Sequence, residues 1–171
     1  DPDAAEVELR GGTHRTLEFS VRGVPHTLLA DSASALLMRR GDVDAVFVGA
    51  DRVAANGDVC NKIGTYAKAL AAHDNDVPFY VALPSPTLDT GLAAGDAIPI
   101  ESRAADEVLA VSGRDAYGQT ATVAIAPAGT HAVNYAFDVT PARLVTGLVT
   151  ERGVVKADRA ALAAAFPERF E

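Results

Sequence analysis

The 171 residues are enough for one domain with a real core, and an apolar content of 49% belongs to a globular rather than a disordered chain. A formal charge of −8 and a pI near 4.9 exclude a nucleic-acid phosphate partner, which needs clustered Lys and Arg. A single cysteine, Cys60, allows neither an internal disulfide nor a cysteine-based zinc site, and His14, His26, His73 and His131 show no metal-ligand spacing.

No apolar run reaches the roughly 18 residues of a membrane span, and no signal peptide is visible. No membrane partner is therefore expected, and the cytosol is the default compartment. Only Lys62, Lys68 and Lys156 among the basic residues are lysines. This bias suits a salt-adapted protein and suits an arginine-rich coding bias equally.

In chain order, residues 1–12 are charged and glycine-ended and read as a loose lead-in. Thr13–Val21 has the pattern of a short helix closed near Gly23. Pro25 then introduces an apolar run, His26–Ala30, expected as a buried strand. Ser32–Arg40 is helical in pattern, with Asp31 or Ser32 as N-cap, two Arg in the last turn and Gly41 as stop. Asp44–Ala50 (DAVFVGA) reads as a second buried strand.

Asn56-Gly57 signals a turn, and helical pattern resumes over Asn61–Ala72. Pro78–Leu83 is a third strand. Residues 84–99, rich in Pro and Gly, read as loop with a short helix, and Val123–Ala126 as a further strand. Thr140-Pro141 has the signature of a helix start, with Gly153 as its close. An alanine-rich helix over Asp158–Phe166 ends the chain. Apolar strands alternating with helices predict a doubly wound α/β domain around a parallel sheet, with ligands at the carboxyl ends of the strands.

That architecture directs attention to residues 49–66, GADRVAANGDVCNKIGTY. Asp51 follows a buried strand, where a carboxylate is partly desolvated and suited to acid–base work. The plainer alternative is a helix cap or a pair with Arg52. Asn61 and Lys62 are expected to open the next helix, whose free N–H groups and dipole attract phosphate. Against this stands a plain N-cap at Asp58 or Asn61 with Lys62 solvated. Cys60 has no activating His nearby, and Asp58 is expected to raise its pKa, so it reads as a buried small hydrophobe. No Walker loop or GxGxxG fingerprint is present.

Together with PFYVALPSPTLD, IPIESR and NYAFDVTPARLVTGLVTERGVV, this segment resembles the methylthioribose-1-phosphate isomerases. These are related to the α, β and δ subunits of the translation-initiation nucleotide-exchange factor and to ribose-1,5-bisphosphate isomerase. The resemblance runs from Leu17 to Val155. It implies a Rossmann-like catalytic domain over 17–171, behind a lead-in segment over 1–16. It also implies an aldose–ketose isomerase of methionine salvage, with Asp51 catalytic and with Asn61 and Lys62 binding a phosphorylated sugar. No metal or organic cofactor is implied, and a homodimer is.

The family's catalytic cysteine lies in an HCNAG-like segment far upstream of its aspartate, and only 50 residues precede Asp51 here. That cysteine and the family's N-terminal helical domain are therefore expected to be missing, or to come from a separate N-terminal half. The isolated chain is expected to have little activity. The family's LLQG-like stretch aligns to Leu9-Arg10-Gly11, so Arg10 stands where the family has Gln and is taken as a candidate anion contact. Ribose-1,5-bisphosphate isomerase and an inactive regulatory or sugar-phosphate-binding module are the alternative functions. Arg52 and VAANGDV favour the methylthioribose enzyme over the former, and joint retention of Asp51, Asn61 and Lys62 argues against the latter.

Overall fold

The computed structural model describes the backbone of residues 6–9 and, with their side chains, residues 23–170. Arg10, the predicted helix over Thr13–Val21 and most of the 1–16 lead-in lie outside the described residues. Within the lead-in, β1 (Glu6–Leu9) pairs in parallel with β2 (His26–Leu29), Leu9 opposite Leu29. The β2 strand is not buried as expected, since Leu28 is 54% exposed.

Helix α1 (Ser34–Arg40) begins two residues later than predicted, behind a 3-10 turn over Asp31–Ala33. The Ser34 hydroxyl donates to the Asp31 carbonyl at 3.0 Å, and neither Asp31 nor Ser32 caps the helix with its side chain. Its end is as read: Arg39 and Arg40 face the negative end of the dipole. Gly41 takes φ 76°, a left-handed turn suited to glycine, and its N–H donates to the Met38 carbonyl.

The central sheet has the order β12-β11-β6-β3. Its strands are β3 (Val46–Val48), β6 (Phe79–Ala82), β11 (Gly147–Thr150) and β12 (Gly153–Val155). The first three run parallel, and β12 returns antiparallel on the edge. A second sheet has the order β10-β5-β4-β7, from β4 (Arg52–Ala54), β5 (Val59–Lys62), β7 (Leu88–Asp89) and β10 (Phe137–Thr140). The β4–β5 hairpin turns at Asn56-Gly57, as the sequence signals. Gly57 has φ +90°, and a Cβ there would sit 2.5 Å from the Ala157 carbonyl carbon, so only glycine fits.

Helix α2 spans Thr65–Asp74, and the α3 turn covers Asp106–Leu109. The hairpin of β8 (Ala110–Arg114) and β9 (Thr120–Ala124) carries Val111 and Val123 opposite one another, both exposed. Helix α4 (Arg159–Ala165) is capped by Asp158, which accepts from the Ala161 N–H at 2.8 Å, confirming the predicted start.

The fold is the expected single α/β domain of the Rossmann-like class: beside a small cluster of Ala54, Cys60 and Ile98, parallel strands and helices surround one main core. Phe79, Phe166, Leu148, Leu162, Val53, Val59 and Val81 are fully buried in it. Each such side chain contributes roughly 1.5–3 kcal/mol through removal from water.

Three further expectations are overturned. The helix predicted from Thr140-Pro141 to Gly153 is instead a 3-10 turn, Ala142–Leu144, followed by β11. Its Leu-Val-Thr-Gly-Leu-Val-Thr run is rich in β-branched residues, and pairing with β6 buries Leu148 completely. A Cβ at Gly147 would meet a methyl of the exposed Val154 side chain at 2.7 Å, so a larger residue there displaces that side chain. Strand β3 is only half covered: Phe47 is 66% exposed and stacks on Tyr80, ring centroids 5.2 Å apart. The third concerns the start of α2, described below. No helix among the described residues is long and apolar enough to cross a membrane.

Candidate active site

The β4–β5 hairpin has two unlike ends. At the closed end the Asn56 carbonyl oxygen of the side chain accepts the Asp58 N–H at 3.0 Å, and the Asn56 amide donates to Asp58 Oδ2 at 2.7 Å. Asp58 also accepts the Gly95 N–H at 3.0 Å and the Ala142 N–H at 2.8 Å. One carboxylate thus joins three loops. Burial pushes its pKa up, but the bonds from Asn56, Ala142 and Gly95 together outweigh burial and hold it below the usual carboxylate range.

The open end lies beyond the carboxyl terminus of β3, where the α/β architecture places ligands. Asp51 sits there, and its N–H donates to the Cys60 carbonyl at 2.9 Å, stitching it to β5. The expected desolvation is not met: Asp51 is exposed, and no hydrogen bond or ion pair to its carboxylate is found among the described residues. Arg52 pairs with Asp89 at 3.3 Å, both side chains half exposed. Asp51, Arg52 and the 86–91 segment line a groove of about 340 Å³. The alternative of an Asp51–Arg52 pair is thus set aside in favour of Arg52–Asp89.

Asn61 and Lys62 do not open a helix. They are the last residues of β5, because β10 pairs with them, Asp138 opposite Asn61 and Phe137 opposite Lys62. Helix α2 starts only at Thr65, and its amino end is already filled: Asp138 accepts the Gly64 N–H at 2.7 Å and the Tyr66 N–H at 3.1 Å. The expected phosphate site on helix N–H groups is therefore taken by a side chain of the protein itself. Lys62 remains exposed, its ammonium 5.9 Å from the Phe137 ring centroid. Asn61 donates to the Thr65 hydroxyl at 3.1 Å, and Thr65 donates to the Lys62 carbonyl at 2.6 Å.

Cys60 is buried, 3% exposed, as its sequence surroundings suggest. Burial pushes the thiol pKa up, and the negative charge of Asp51 adds to this. The neighbouring charge that matters is Asp51, not Asp58 as expected.

So the structure brings Asp51, Asn61 and Lys62 to one end of one hairpin. Sequence reasoning missed the roles of Asp58 and Asp138. Both had a signal: Asp58 follows an Asn-Gly turn, and Asp138 interrupts the apolar run of a strand, Phe-Asp-Val.

The family model described as the Initiation factor 2 subunit family matches residues 8–157. A methylthioribose-1-phosphate isomerase of Brucella anthropi is 62% identical over 153 residues, covering 89% of this chain and 42% of that protein. One from Methylocella silvestris is 56% identical over 168 residues, 98% of this chain and 46% of that protein. Among solved structures, 5-methylthioribose 1-phosphate isomerase from Pyrococcus horikoshii matches with a TM-score of 0.80 at 41% identity, over 91% of this chain and 41% of that one. The translation initiation factor eIF-2B subunit delta from A. fulgidus matches with a TM-score of 0.81 at 33% identity, over 95% of this chain and 46% of that one. The chain spans less than half the length of the curated relatives it matches.

Proposed function

The chain belongs to the Initiation factor 2 subunit family, and from that premise we propose that it is the C-terminal half of a methylthioribose-1-phosphate isomerase, an aldose–ketose isomerase of methionine salvage. The observation that carries this reading is the meeting of Asp51, Asn61 and Lys62 at the open end of one hairpin. The similarity to proteins of that name supports it.

In the substrate, carbon 1 carries the phosphate, so the sugar ring cannot open by mutarotation. The reaction needs a proton delivered to the ring oxygen and a hydrogen moved from carbon 2 to carbon 1. Asp51 is the acid–base carboxylate in this scheme. With no bond to it among the described residues, its oxygens are left to a substrate. A positioned acid or base of this kind contributes about 10²- to 10⁴-fold in rate. Lys62 supplies a point charge for the phosphate, and Asn61 hydrogen-bonds phosphate or sugar oxygens. Arg10 is a further anion contact.

Cys60, buried and with its thiol pKa raised, is a poor nucleophile or acid. The family's thiol and its helical domain are assigned to sequence outside these 171 residues. Catalysis over 17–171 behind a lead-in, a cytoplasmic setting, a homodimer and the lack of a metal or organic cofactor belong to the same reading. The likeness to eIF-2B subunit delta supports a second one, a sugar-phosphate-binding module without turnover. The uncommitted Asp51 carboxylate favours the first.

Calorimetric titration of the chain with methylthioribose-1-phosphate, ribose-1,5-bisphosphate and inorganic phosphate tests the ligand. The first is expected to bind most tightly. Equal affinity for all three, or preference for the bisphosphate, overturns the assigned substrate.

A further inference from the structure

The corner between β5 and α2 is built by residues distant in sequence. Strand β10 pairs alongside Asn61 and Lys62, and two of its side chains shape the corner. Phe137 lies beneath the Lys62 ammonium. Asp138, half-buried, reaches past the strand end to the Gly64 and Tyr66 N–H groups. Gly64 has φ +98°, a left-handed conformation that lets the chain turn from strand into helix at that point. Inside the corner, buried Thr65 links the Asn61 side chain to the Lys62 carbonyl. This leaves the Asn61 side-chain oxygen and one of its N–H groups without a bond among the described residues.

We propose that Asp138 is a positioning residue for the sugar-phosphate site: it locks the Asn61–Lys62 strand end to the start of α2. By filling the amino end of that helix, it also leaves the ligand's phosphate to Lys62. The inference rests on the reading of Asn61 and Lys62 as ligand contacts. Asp138 itself touches no ligand in this scheme. A helix start that binds a ligand phosphate presents its N–H groups to solvent. Here two of them are spent on a carboxylate whose like charge disfavours an anion at the same spot.

The test titrates the 171-residue chain with methylthioribose-1-phosphate, read by proton–nitrogen correlation spectra. Asp138→Asn is expected to weaken binding about tenfold, and Lys62→Ala to a similar degree. The double variant is expected to bind little more weakly than Lys62→Ala alone, because the same contact is lost twice. Asp138→Asn keeps one acceptor at the same reach, which guards against a variant that does not fold, and the shorter Asp138→Ser should bind more weakly than Asp138→Asn.

Wild-type affinity in a folded Asp138→Asn protein, with Lys62→Ala weakened, overturns the positioning role and leaves the reading of Lys62 standing. Fully additive losses overturn it too, since they mark Asp138 as an independent contact. Wild-type affinity in Lys62→Ala overturns the reading of Lys62 and the inference together. A ligand-free readout stands beside these. Asp138→Asn should shift the Gly64 and Tyr66 amide resonances and speed their hydrogen exchange, and unchanged resonances overturn the lock whether or not a ligand binds.

Discussion

The two ends of the β4–β5 hairpin put the same side chain to opposite uses. At the turn, Asp58 accepts hydrogen bonds from Asn56, Gly95 and Ala142, and its charge is consumed in holding loops together. At the open end, the Asp51 carboxylate holds none among the described residues and faces a groove. A carboxylate bonded on both oxygens is scaffold, because proton transfer needs a lone pair within reach of the reacting atom. What separates structure from chemistry in this segment is the commitment of the oxygens, not the residue type.

That contrast is open to attack at both ends. The largest effect is expected at Asp51. Fused behind the N-terminal half of one of its full-length relatives, the chain should isomerise methylthioribose-1-phosphate. Asp51→Asn should then cut ketose formation about a thousandfold while leaving the urea midpoint unchanged, as befits an exposed side chain. A rate that survives the change removes Asp51 from the chemistry.

Asp58→Ala should behave in the reverse sense. It strands the Gly95 and Ala142 N–H groups and the Asn56 amide, and a loss of about 3 kcal/mol in urea unfolding is expected. A cost below about 0.5 kcal/mol, that of an ordinary surface change, would erase the distinction between the two ends.

The smallest and finest test is acid titration of stability. The folded-state pKa of Asp58 is depressed, so its contribution is present above the unfolded carboxylate pKa and is lost as pH falls through the folded value. Asp138 has the opposite sign: burial raises its pKa despite the bonds from Gly64 and Tyr66. Its contribution is full below the unfolded pKa and is lost as pH rises through the folded value. From about pH 5 downward, Asp58→Asn should therefore flatten the loss of stability, and Asp138→Asn should steepen it. Matching slopes in the two variants would show that the two carboxylates do not differ as described.

What the sequence disclosed follows from the range of the interactions involved. The α1 stop at Gly41, the Asn56-Gly57 turn, the start of α4 near Asp158 and the apolar runs of β3 and β6 are set by neighbours within a few residues, and they are legible. Asp51, Asn61, Lys62 and the inert Cys60 stand out from their polar and apolar surroundings. The false helix over 140–153 shows the limit: a threonine and a proline mark a helix start locally, yet pairing with β6 decides the outcome. The displaced start of α2 has the same origin, since β10 holds Asn61 and Lys62 in the strand. Asp58 and Asp138 escaped because their partners, Asn56 apart, lie 37 to 84 residues away. Exposure of Phe47 and Leu28 was hidden too, because an apolar run does not say which of its faces will be covered.

The Asp138 lock also dictates an order of assembly. Helix α2 and its aspartate cap are separated by 72 to 74 residues of chain. Closing so long a loop is entropically unfavourable until packing rewards it. On a ribosome, the helix emerges long before its cap is made, and the β5 end stays without the strand that backs it. The β5–α2 corner therefore acquires its final bonds only after β10 is made, later than the β3–β6 pair can begin to bury its aliphatic side chains.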